Sequence, residues 1–106
     1  MRKIKLVAWK AALPNGEFRD EDLLAAINVL VGAKKPEEIP RGIAAFQIMG
    51  NIAKAFDKAL ETQVLELEER EYKFLKDTIE RDVPSTWALN KNISQAINDF
   101  LSAKEE

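Results

Sequence analysis

Residues 62–101, TQVLELEEREYKFLKDTIERDVPSTWALNKNISQAINDFL, hold the two sharpest changes of pattern in the chain. Gln63 to Glu68 alternate loosely between polar and apolar residues, and from Glu69 onward Tyr72, Leu75 and Ile79 recur at helical spacing. This change of period predicts a short extended segment leading into a helix. Val83-Pro84 ends that helix, because the residue before a proline is pushed out of the α region; Ser85 or Thr86 is then placed to cap the next one. The final helix is expected over about residues 85–103, burying Leu89, Ile93, Ala96, Ile97, Phe100 and Leu101. Its other face carries Asn90, Asn92, Gln95, Asn98 and Asp99, which is polar but hardly charged. Such a face is either plain solvated surface or a hydrogen-bonding surface for a partner.

Working outward toward the N-terminus, Pro40 suits the first position of a helix running to about Leu60. Ala45, Ile48, Met49, Ile52, Phe56, Ala59 and Leu60 make its stripe, which marks it as the expected central core helix. Gly42 and Gly50 each lower helix propensity by about 1 kcal/mol, so either close backbone packing or a kink is expected there. Ile43, Ala44 and Phe46 widen the apolar surface beyond what one small core needs, which predicts association.

An earlier helix opens at Arg19 or Asp20, with Asp20, Glu21 and Asp22 complementing the positive end of its dipole. Leu23, Leu24, Ile27, Leu30 and Val31 form its stripe, and Gly32 with Lys34-Lys35 closes it. Pro14-Asn15-Gly16 signals a chain reversal before it. Residues 3–9, KIKLVAW, read as a strand with Ile4, Leu6 and Ala8 on one face and Lys3, Lys5, Val7 and Trp9 on the other. That strand is a candidate to pair with residues 63–68. The fold class that follows is mainly α with a small β element, about four helices around one core in a single domain over residues 1–106.

Composition narrows the chemistry. A chain of 106 residues with 46% hydrophobic and 32% charged residues is an ordinary globular domain, able to bury about 65% of its unfolded surface. The absence of both Cys and His removes disulfides, thiolate nucleophiles, the usual zinc, copper and iron ligands and the commonest general base. No catalytic set is recognisable, so no enzyme activity, cofactor or metal is expected. Glu66, Glu68, Glu69 and Glu71 lack the glycine-containing loop of a calcium site and read instead as charged helix surface, with Glu69–Lys73 and Arg70 or Lys73 with Asp77 at neighbour spacing. The N-terminus has no apolar run of signal-peptide length, and no stretch is long enough to cross a bilayer, so a cytoplasmic protein is expected.

Net charge is −2, and the last helix carries only Lys91 and Lys104 as bases, so nucleic-acid binding is not expected from this helix-break-helix arrangement. Binding residues are sought among the scarce aromatics and their neighbouring bases. Trp9 and Trp87 are either core residues or flat stacking surfaces. Lys5, Lys10 and Lys91 are available to meet negative charge, and Arg41 stands at a helix start. These six are the candidate sites for a small anionic ligand such as a nucleotide.

FRDEDLLAAINVL at 18–30 and VLELEEREYKFLKDTIERDVPSTWALNKNISQAINDFL at 64–101 resemble small proteins of unassigned function encoded by tailed phages and prophages. The resemblance covers the order of elements: a short β segment, a helix after an acidic turn, an extended Val-x-Leu lead-in to a helix, and a final helix behind a proline. The alanine-rich segment 41–60 departs from it. The resemblance implies a phage-like origin, with the host cytoplasm as location, and no catalytic motif. The expected function is a non-enzymatic binding or assembly protein, homo-oligomeric, with a ligand-sequestering protein as the alternative.

Overall fold

In a computed structural model, which describes residues 1–105, the chain is mainly α-helical with a small β element. The strands are β1 (Arg2–Lys5), β2 (Trp9–Ala12), β3 (Phe18–Glu21) and β4 (Val64–Leu67), and the helices are α1 (Leu23–Gly32), α2 (Ile43–Thr62), α3 (Glu69–Asp82) and α4 (Lys91–Leu101). Short 3-10 turns lie at Pro36–Glu38 and Ser85–Leu89.

The extended lead-in to α3 is β4, and it pairs antiparallel with β1 in the register Arg2↔Leu67 to Lys5↔Val64. Its side chains alternate as a half-covered strand should, with Leu65 and Leu67 buried and Val64 and Glu66 half-buried. Gln63, at a left-handed φ of 64°, turns the chain from α2 into this strand.

The N-terminal region departs from a single strand over 3–9. The chain leaves the first sheet after Lys5 and forms a second one, β2 with β3, in the register Trp9↔Glu21, Lys10↔Asp20, Ala11↔Arg19, Ala12↔Phe18. Pro14-Asn15-Gly16 closes this hairpin, with Gly16 N–H donating to Leu13 carbonyl at 3.0 Å and Gly16 at φ 87°. The hairpin captures Asp20 and Glu21 in a strand, so they are not in the first turn of α1. Asp22 is the cap instead, accepting from Ala25 N–H at 3.1 Å. The link after Lys5 also breaks the period of two: Ile4 and Leu6 are buried as expected, but Ala8 is exposed and Trp9 is buried.

α3 occupies the place expected of α2. It packs against α1, α2, α4 and β4, and buries Tyr72, Leu75, Thr78 and Ile79 with Leu65, Leu67, Ile27 and Phe100. α2 begins at Ile43 behind Gly42, whose φ of 99° puts it outside the helix, so Pro40 is not its first residue. Of its stripe only Ile52 and Ala59 are buried, Ile48, Met49 and Phe56 are half-buried, and Leu60 is exposed. A Cβ on Gly50 would meet nothing within 4 Å, so no close backbone packing occurs there.

The last helix is shorter than the spacing suggested. Residues 85–89 form a 3-10 turn, and Asn90 rather than Ser85 or Thr86 caps α4, its Oδ1 accepting from Asn92 and Ile93 N–H at 2.9 and 3.2 Å. Leu89 consequently points away from the core and is 86% exposed. No helix is long and apolar enough to cross a membrane, among the described residues.

Candidate functional site

Two places in the described chain present chemistry that the core does not consume: the outer face of α2 and a crevice walled by Trp9.

α2 is 20 residues long, so it spans about 30 Å. Successive residues advance by about 100°, which places Ile43, Phe46, Gly50 and Ala53 on one line opposite the core-facing Ile52 and Ala59. Ile43 is 71% and Phe46 74% exposed, and Gly50 and Ala53 are exposed beside them. Farther along the same side the line turns charged, with Asp57 and Glu61 exposed. The apolar half is thus a bulky pair followed by a small pair, with open space over Gly50. One inner contact anchors the helix behind it: Asn51 Nδ2 donates to Glu71 Oε1 at 2.9 Å, and Arg70 stands 3.5 Å from the same oxygen. Glu71 is itself buried, so this network gives its carboxylate the partners that burial demands.

The crevice lies between Ile4, Lys5 and Val7 on one side and Asn92, Gln95, Ala96 and Asp99 of α4 on the other, with Trp9 and Leu23 completing it; its volume is about 80 Å³. Trp9 is only 7% exposed, and its indole Nε1 is buried with no hydrogen-bond partner among the described residues. Gln95 Nε2 donates to Asp99 Oδ1 at 2.8 Å, which ties the two α4 residues together.

Of the six candidate binding residues, Trp9 and Lys5 meet in this crevice, whereas Lys10, Arg41, Trp87 and Lys91 do not line it. Lys10 lies exposed on β2 opposite Asp20, Arg41 is exposed ahead of α2, and Lys91 is exposed at the first residue of α4. Trp87 is half-buried in the 3-10 turn and walls separate grooves, one of about 160 Å³ with Val83, Pro84, Ile93 and Ile97, and one of about 450 Å³ with Arg19, Glu21 and Val29. Reading the residues in order pairs the tryptophans with their sequence-neighbouring bases and so misses Asn92, Gln95 and Asp99 as the facing wall. Their signal is the amide-rich face of α4.

The acid run disperses. Glu66 accepts from Lys58 at 2.8 Å and Glu69 from Arg2 at 3.0 and 2.8 Å, and in each case the hydrogen bond from the base holds the carboxyl below the usual carboxylate range. Glu69 therefore pairs across to β1 and not with Lys73, since α3 turns its N-terminal turn toward the start of the chain. Among the described residues no group of three or more acids is placed to hold a metal ion. Lys34, with its side chain only 3% exposed, donates to Asp82 at 3.0 Å and holds that carboxyl low as well, joining the ends of α1 and α3.

Comparison of the chain with protein-family models, with curated proteins and with solved structures finds no match.

Proposed function

We propose that this is a non-enzymatic binding and assembly protein that forms a homodimer through the outer face of α2. The observation that carries the reading is the exposure of Ile43 and Phe46 on a helix whose opposite face is already seated on the core. Exposed single hydrophobics are common, but here two large ones align with Gly50 and Ala53 along one face. Two copies of such a face pack antiparallel around a twofold axis, where the Phe46 ring of each fits over the small residues of the other. The phage-like setting suggested by the order of elements is compatible with a small assembly protein of this kind.

Sedimentation of the full chain across micromolar concentrations tests this. A dimer mass is expected, and Phe46→Glu is expected to give a monomer with unchanged helical content, because Phe46 makes little of the monomer core. A monomer mass throughout for the parent chain would refute the reading.

A further inference from the structure

We propose that the free edge of β3 takes up an extended, basic peptide segment of another protein as a third strand. Leu13 N–H donates to the Glu17 carbonyl at 2.8 Å, and this pair sets the alternation of hydrogen bonds along the hairpin. Arg19 and Glu21 therefore turn their backbone groups toward β2, and Phe18 and Asp20 turn theirs outward. Among the described residues the sheet has two strands and ends there, with no backbone partner for Phe18 or Asp20 on the outer side. Phe18 is 67% exposed, and residues 14–20 are all exposed, so the outer part of the ribbon has both faces in water. A two-stranded ribbon in that condition is marginal by itself, and its open edge is a template for a further strand.

The groove of about 450 Å³ runs along this edge. Arg19, Asp20 and Glu21 all line it, although the Asp20 side chain leaves the strand on the face opposite the other two. A space that meets three successive residues of a strand lies at its edge, and no residue of β2 lines it, so the edge is the unpaired one. Its floor is apolar, made by Ala25, Ala26 and Val29 of α1 with Trp87 and Ile93. A strand laid here bonds the outward N–H and C=O of Asp20 through its backbone, while alternate side chains drop onto Val29 and Trp87. Charge sets the kind of strand. Residues 17–22 carry four acids against one base, Arg19, which already pairs with Glu21. Glu17 and Asp20 enter no ion pair among the described residues. Bases on the incoming strand meet this acidic rim, and acids are repelled by it. None of the lining residues belongs to α2, so this site goes beyond the dimerisation proposed above and does not rest on it.

The probe is an end-blocked peptide of alternating Lys and Val, titrated into the full chain labelled with ¹⁵N. Saturable shifts are expected at the Phe18 and Asp20 amides and at the Trp87 indole, with slowed hydrogen exchange at those two amides, which exchange freely without peptide. The same peptide with Glu for Lys, or with its backbone nitrogens methylated at alternate residues, is expected to bind at least about tenfold more weakly. Asp20→Pro removes the outward N–H without taking a bond from β2, and it should weaken binding by a similar factor, whereas Asp20→Asn keeps that N–H and most of the affinity. No saturable shift at millimolar peptide would overturn the proposal. Equal binding by the Glu peptide or by the methylated one would also overturn it, the latter by showing that the groove takes side chains without strand pairing. So would slow exchange of the Phe18 and Asp20 amides in the free chain, which would mean that a second copy already covers the edge. If Asp20→Pro fails to fold, the methylated peptide on the parent chain still decides. Phe46→Glu should leave the titration unchanged, so failure of one proposal is distinguishable from failure of the other.

Discussion

Arg2 lays its guanidinium over the face of Tyr72, 4.5 Å from the ring centroid, while the other face of the same problem is solved by Phe100, whose ring stacks on Tyr72 at 4.9 Å. The arrangement knits the first strand, α3 and α4 together. The Tyr72 hydroxyl donates to the Phe100 carbonyl at 2.7 Å, with the Leu101 carbonyl at 3.2 Å, and Arg2 donates to the Ala103 carbonyl. Phe100 and Leu101 close α4, and although the Phe100 carbonyl also accepts from Ala103 N–H at 3.3 Å, a residue 28 positions earlier supplies the shorter bond at the end of the helix. Arg2 binds Glu69 with its remaining donors and closes the cluster.

Removal of that hydroxyl is therefore expected to be felt. Tyr72→Phe keeps the ring stack and removes the hydroxyl bond from the Phe100 carbonyl, which retains Ala103 N–H at 3.3 Å, at a cost of about 0.5–1.5 kcal/mol. Urea denaturation of the variant checks it, and an unchanged midpoint would mean that water replaces the phenol.

The carboxylates paired with bases set the acid limb of stability. Glu66, Glu69 and Asp82 all have lowered pKa values in the folded chain, so the unfolded chain binds protons first on acidification. Stability they contribute is present above the ordinary carboxylate pKa of about 4 and is lost as pH falls through the lower folded values. Arg2→Met removes the cause of the Glu69 shift, so its denaturation midpoint should decline less steeply below that pH than the parent's. Superimposable pH profiles would contradict this.

Lys34 and Asp82 should respond asymmetrically. Lys34 is buried along its stem and Asp82 is its partner at 3.0 Å. Asp82→Asn leaves a buried ammonium short of its counter-charge, whereas Lys34→Met replaces the stem with a similar apolar volume and frees a partly exposed carboxylate to water. The expected order of thermal midpoints is parent, Lys34→Met, then Asp82→Asn. The reverse order of the two variants would show that the charge is solvated in place.

Asn90 is expected to matter more than the proline that precedes it. Its Oδ1 satisfies two free amides of α4, so Asn90→Ala should cost about 1 kcal/mol. Pro84→Ala leaves both the cap and the Trp87 N–H bond to the residue-84 carbonyl available, and it should cost less. Equal denaturant midpoints for parent and Asn90→Ala would remove the cap from the account.

Gly50→Ala should stabilise the monomer by roughly 0.5–1 kcal/mol, since the position is helical and a Cβ there meets open space. The measurement belongs at concentrations below those at which the proposed dimer would form. A loss of stability there would show a constraint on Gly50 within the monomer itself.

Much of this fold is local and was readable from residue order. The period change at Glu69, the stripe of α1, the proline at 84 and the turn at Pro14-Asn15-Gly16 each act within a few residues, where periodicity and backbone sterics alone decide the conformation. The pairing of β1 with β4 was also readable, as two short half-buried segments in a chain with few strands to choose from. What residue order left open depends on partners distant along the chain. A helix start was read at Arg19 or Asp20 because the acids after it suit one, and Phe18–Glu21 became a strand because Trp9–Ala12 pairs with it. The stripe of α2 was the longest in the chain, yet α3 took the centre, because length of stripe counts for less than how many faces the neighbouring elements cover. The amides of α4 were visible as a polar face at helical spacing, and so was Lys5 beside Trp9. Only the packing of α4 against the start of the chain brought Asp99 and Lys5 to one crevice, since no local rule carries a residue at position 99 to the neighbourhood of position 5.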